Sequence, residues 1–225
     1  MDRARPSHTL PLVLLLLTTA VFVWSGIRPH DRFTWVLETF PAIAGVPLLV
    51  VLYARGVRLT PVVYVLIAIH AMILMVGGKY TYAEVPLFNW LRDALHLSRN
   101  HYDRVGHFAQ GFVPAMVARE ILLRTSPLRP GKWLFFLAVC VCGALSACYE
   151  LIEWTVAVAS GSASDAFLGT QGDPWDTQKD KALAFVGAIT SQVLLSRVQD
   201  RQLAGVRSTP GSAAVQRPGS SASAG

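Results

Sequence analysis

The chain has 225 residues, 52% of them hydrophobic and 15% charged, with a net charge of +6 and a mean hydropathy of +0.42. Soluble domains carry about 25% charged residues, so the apolar excess excludes an ordinary water-soluble fold. Nucleic acid is excluded as a partner, because the basic residues sit in short clusters between apolar runs, with no basic stripe interleaved with aromatics.

After a polar start with Arg3 and Arg5, residues 9–27 are almost wholly apolar. At about 1.5 Å per residue they can cross a bilayer core. The run continues through Phe22, Val23 and Trp24 with no cleavage-like site, which favours a retained helix over a signal peptide. Residues 34–53 form a second segment, with Glu38 near its start and a kink expected at Pro41 and Pro47. The third, residues 61–78, carries His70 near its middle. A polar connection over 79–101 holds Tyr80, Tyr82, Phe88 and Trp90, aromatics suited to the membrane–water boundary. Segments four and five cover 102–123 and 133–159, and a polar loop over 160–179 leads to segment six at 180–198. Beyond that the chain turns to Ser, Gly, Ala, Pro and Arg. Residues 1–200 therefore read as one six-helix transmembrane domain, and 201–225 as a disordered tail. Cys140, Cys142 and Cys148 share one apolar segment without a C-x-x-C spacing, so they read as small fillers. The expected fold is an all-α, polytopic integral membrane protein.

Charge placement sets an expected orientation. With both termini cytoplasmic, twelve of the twenty basic residues lie inside, among them Arg55, Arg58, Arg119, Arg124, Arg129 and Lys132. Arg28 and Arg32 in the first outer loop weigh against it. Eleven of the fourteen acids then fall in outer loops or at outer helix ends, and only Asp2, Glu120 and Asp200 lie inside. The expected placement is multi-pass in a membrane, with a polar site opening outward.

Three stretches supply that site. In YDRVGHFAQGF, Asp103 and His107 are four residues apart and share a helix face, with Gln110 just below. CYELIEW places Glu150, Glu153 and Trp154 in the last turns of segment five, where Gly143, Ser146, Glu150 and Glu153 form one face. GTQGDPWDTQKD brings Asp173, Asp176 and Asp180 to the start of segment six. An intramembrane carboxylate costs about 2.5–3.5 kcal/mol at a helix centre and is a functional candidate by default. Plainer roles exist for each residue taken alone. Asp176 suits a helix N-cap, Asp173 before Pro174 suits a turn, and His107 could be a packing histidine. Arg104 follows Asp103 directly and so points elsewhere on a helix. Glu150 is the hardest to explain plainly, since it lies deeper and needs a proton or a partner. Asp103, His107, Glu150 and Asp176 are therefore the candidate catalytic set, with Gln110, Glu153, Trp154, Asp173 and Asp180 as candidate substrate-binding residues.

These same stretches, in the same order, resemble the YjdF-type family of small multi-helix bacterial inner-membrane proteins. They are more distantly similar to VanZ-like proteins, linked to teicoplanin resistance, in which an Asp–His pair, a Glu and an Asp open successive helices. By that likeness Asp103, His107, Glu150 and Asp176 correspond, with Asp180 a substitute for the last; Glu153 departs from the pattern, which has Gln. Three functions compete on the residues alone. One is an enzyme acting on a lipid-linked or envelope substrate, with a divalent metal or an acid–base pair at the carboxylate–His cluster. Hard carboxylates with one imidazole suit Mg²⁺, Mn²⁺ or Zn²⁺. The second is a small transporter or proton relay, and the third a structural protein whose polar cluster only locks helices. Membrane lipid is the expected surrounding partner in all three.

Overall fold

The computed structural model describes residues 8–160 and 171–207. Among them are seven helices: α1 (Thr9–Gly26), α2 (Arg32–Ala54), α3 (Pro61–Lys79), α4 (Pro86–Ala94), α5 (Tyr102–Thr125), α6 (Lys132–Ser160) and α7 (Asp176–Arg207). Five of them, α1, α2, α3, α6 and α7, are long and apolar enough to cross a bilayer. The fourth expected segment, α5, is more polar for a physical reason. More than half of its 24 residues are buried, including Asp103, His107, Arg119 and Glu120. It is the hub of the bundle, packed on α3, α6 and above all α7, so its polar side chains meet protein and not lipid.

Contacts fix the helix directions. Arg104 of α5 pairs with Asp180 of α7 at one end of the bundle, and Arg119 pairs with Asp200 at 2.7 Å at the other. The two helices therefore run parallel, as two elements separated by one antiparallel crossing must. Their backbones nearly touch. A Cβ added to Gly111 would lie 1.7 Å from the Ala184 carbonyl oxygen, and one on Gly187 would lie 2.1 Å from that of Phe108. Only glycine permits this approach, which is the small-residue packing that membrane helices favour. Helix α3 is antiparallel to α5: Thr60 at its start meets Glu120, and the Tyr102 hydroxyl donates to Ile73 O near its end at 2.9 Å. Between the two polar ends lies an apolar layer built from Val63, Val113, Ala115, Met116, Cys142 and Ala188.

Several expectations need correction. The 79–101 connection contains a further helix, α4, which is too short to span; Leu87 and Trp90 on it are exposed. Helix α2 is one continuous helix with Pro41 and Pro47 inside it, so the prolines at which a kink was expected do not end it. Segment six begins at Asp176, one turn earlier than expected, and continues to Arg207. Its last turns are held in place. Gln202 accepts from Val62 N at 3.0 Å, and Leu203 is buried with Leu123 and Leu134. The expected tail thus starts inside a packed helix; its remainder, 208–225, lies outside the described residues, as do 161–170 of the expected loop.

Candidate functional site

One end of the bundle gathers the start of α2, the end of α3, α4, the start of α5, the end of α6 and the start of α7. Asn100 organises this end. Fully buried, it accepts from Tyr102 N at 3.0 Å to start α5 and donates to Asn89 Oδ1 at 2.8 Å and Val85 O at 3.2 Å. Gln171 brackets its backbone with two bonds of 3.0 Å, which brings the α7 approach alongside. Above α5 the chain takes two consecutive left-handed residues, Thr81 (φ 52°) and Tyr82 (φ 55°). Such strain persists only where surroundings impose it. Here it drives the Tyr82 ring between Gly77 and Gly106, whose added Cβ atoms would fall 2.3 and 2.8 Å from ring carbons.

Below that ring lies the cluster. His107 Nε2 is 3.3 Å from Asp103 Oδ1 on its own helix and 3.7 Å from Asp180 Oδ2 on α7. One ligand atom from each of the three lies within 4.8 Å of the others, and all three residues are buried. Gln110 sits 3.1 Å from His107 Nδ1 and can serve either tautomer, since its amide offers both an acceptor and a donor. With Nδ1–H donating to Gln110 Oε1, the Nε2 lone pair faces the two carboxylates, the arrangement of a metal-ligating imidazole. With the amide reversed, Nε2–H donates to Asp103 and the pair is set for acid–base work.

Two arginines brace this centre: Arg99, absent from the sequence reading, and Arg104, expected there to point elsewhere. Arg99 reaches Asp176 at 2.6 Å and lies 3.6 Å from Asp103. Arg104 bonds Asp176 and Asp180 and stands 3.2 Å from Asp173. Its backbone does point away from Asp103, but a long guanidinium stem swings across to α7. Asp173 ends the rim. Its bond from Lys179 at 2.6 Å, and then the Trp175 N–H at 3.0 Å, hold its carboxyl below the usual range.

The structure thus brings Asp103, His107, Gln110, Asp173, Asp176 and Asp180 together, but exchanges the parts of two aspartates. Asp176 is taken up by Arg99 and Arg104 at the helix start, whereas Asp180, one turn deeper, faces His107. From α6, Glu150 and Glu153 are both buried at this end of the bundle. Trp154 is not part of the cluster. One residue beyond Glu153, it is 62% exposed, because the helix turns it outward. Glu38 joins unannounced: buried on α2, it accepts from the Tyr149 hydroxyl at 3.2 Å and feels Asp103 and His107.

Charge does not balance here. Among the described residues, seven carboxylates (Glu38, Asp103, Glu150, Glu153, Asp173, Asp176, Asp180) meet four bases, Arg99, Arg104, Lys179 and Lys181. Were all seven ionised and His107 protonated, two negative charges would be left over. Glu150 Oε1 is buried and accepts no hydrogen bond among the described residues, whereas Asp103 Oδ2 has the Arg99 guanidinium 3.6 Å away. Unpaired buried charge of this kind is costly, so the centre calls for protons or for a cation. A divalent ion fits the donor set of two carboxylates and one imidazole.

Comparison with known proteins adds the following. Residues 10–201 match DUF2238, a family described as "Predicted membrane protein". The Escherichia coli (strain K12) protein called "Inner membrane protein YjdF" is 52% identical over 196 residues, which cover 86% of this chain and 93% of that protein. No solved structure matches. Every residue of the cluster lies within the matched stretch.

Proposed function

The chain belongs to the DUF2238 family of predicted membrane proteins, and from that premise we propose that it is an inner-membrane enzyme. Its Asp103–His107–Asp180 centre holds a divalent cation and acts on a lipid-linked or envelope substrate at one membrane face. The observation that carries this reading is the shared reach of the three ligand atoms, within 4.8 Å, amid an excess of buried carboxylates. Arg99 and Arg104 position the α7 aspartates against α5, and Gln110 sets the imidazole. Glu150, with a free oxygen, is the further ligand or the general base. The ion would polarise substrate oxygen or lower the pKa of a bound water. The name of the Escherichia coli relative supports the inner membrane, and the basic bias supports cytoplasmic termini with the site outside. Exposed Trp24, Trp90, Trp154 and Trp175 ring this end, as at a membrane interface.

The relay reading has less support. Glu120 is buried at the opposite end, but Thr60, Arg124 and Gln199 all donate to it. The apolar layer of Val113, Met116 and Cys142 separates it from the cluster. Elemental analysis of detergent-purified protein tests the proposal. About one Mn or Zn per chain is expected in the parent, and a small fraction of that in Asp180→Asn. Equal metal content in parent and variant, or none in either after loading, contradicts it.

A further inference from the structure

A long groove runs between α1 and α2 with α3 as its floor. The two helices each pack on α3 and hardly on one another. They are tied near their ends. Trp35 Nε1 donates to Ser25 Oγ at 3.1 Å on the side of the polar cluster, and His8 bonds the Tyr53 hydroxyl on the other. Between these ties lie two cavities of about 270 and 230 Å³ that share Thr18 and Val46, and so form one groove. It extends from His8 to Phe22 along α1, about 21 Å at 1.5 Å per residue. That exceeds the half-thickness of a bilayer core, about 15 Å. The lining is almost wholly apolar, with small Ala42 buried on the α2 wall and Ala68 on the α3 floor.

We propose that this groove binds one anionic phospholipid, its acyl chain along α1 and α2 and its phosphate at the mouth formed by His8, Tyr53 and Arg58. Water cannot fill an apolar slot inside a bilayer, and leaving it empty forfeits dispersion contacts along both walls. Lipid tails are as apolar as the groove, so the hydrophobic effect does not select the occupant. Selection falls to the mouth. There Arg58 stacks 3.6 Å over the Tyr53 ring and donates to the Tyr53 carbonyl, which holds its charge at the groove entrance. Arg55 is exposed just beyond the end of α2. Glu120, an acid at this end of the bundle among the described residues, is already answered by Arg124 at 2.6 Å and by Thr60. One basic group near a lipid headgroup favours an anionic over a neutral lipid by about fivefold.

The test is native mass spectrometry of the full chain released from nanodiscs containing equal phosphatidylglycerol and phosphatidylcholine. One retained lipid per chain is expected, enriched in phosphatidylglycerol by about fivefold or more. Arg58→Gln should abolish the enrichment. Val46→Trp, which fills the groove from α2, should abolish retention. Ala68→Leu narrows it from α3 and gives the same readout should the tryptophan variant fail to elute as a single species. No retained lipid in the parent, retention unchanged in both filling variants, or enrichment unchanged in Arg58→Gln each overturns the proposal.

Discussion

Gly111→Ala should dismantle the site without touching any of its polar residues. The added methyl would sit 1.7 Å from Ala184 O, and ordinary contact begins near 3.4 Å, so α5 and α7 must part by about 1.7 Å. The obstacle is backbone, and no side chain can rotate away. Overpacking costs about 1–3 kcal/mol where side chains yield, and here it should reach at least the upper end. For a chain of this size that corresponds to a fall of roughly 6–12 °C in melting temperature. The same separation stretches the 3.7 Å approach of His107 to Asp180 and the 3.2 Å approach of Arg104 to Asp173. Metal retention should fall with stability. The assay is thermal challenge in detergent followed by size exclusion, with metal content read on the surviving peak. Gly45→Ala is the control, because nothing lies within 4 Å of its Cβ, and helix propensity predicts a small gain. If Gly111→Ala melts with the parent and keeps its metal, the α5–α7 contact is not what builds the site.

Glu120→Ala should cost about 3–5 kcal/mol and sharply reduce folded protein, since it strands Arg124, Thr60 and Gln199 in a buried cluster; equal yield in detergent would argue against that cluster. A stop after Arg201 removes Gln202 and Leu203 from their contacts and should cost about 2–4 kcal/mol in the same thermal assay, whereas a stop after Arg207 should change nothing. Reporter fusions at Arg58, Arg129 and the C-terminus should read cytoplasmic and fusions within 92–100 external; the reverse pattern would invert the proposed orientation.

Much of the bundle was legible because hydropathy runs of about 20 residues are a direct signature of spanning helices. The chief errors came from features below that length scale. The sequence PLFNWLRDA carries its apolar face at Leu87, Trp90 and Leu91, but nine residues cannot span, so α4 was read as connection. Asp176 was favoured over Asp180 by the likeness to VanZ-like proteins, but α7 starts at Asp176 and so sets Asp180, one turn deeper, beside His107. Arg99 and Arg104 were passed over because spacing rules describe where a Cβ points, while a guanidinium reaches well beyond it. Glu38 had no local partner to flag it: the Tyr149 hydroxyl that it meets is 111 residues away. The Asp103–His107–Gln110 face was legible for the opposite reason, since helical spacing alone sets it.

The central claim is that His107 and Asp180 share a metal ion, and pulsed electron paramagnetic resonance of the Mn²⁺-loaded protein tests it directly. The account predicts one bound Mn²⁺ per chain with a ¹⁴N coupling from a directly ligated imidazole. That coupling should vanish in His107→Ala, and the bound ion itself should be lost in Asp180→Asn. A protein that takes up no Mn²⁺, or a bound ion without nitrogen coupling, would contradict it and leave His107 and Asp103 as a metal-free acid–base pair.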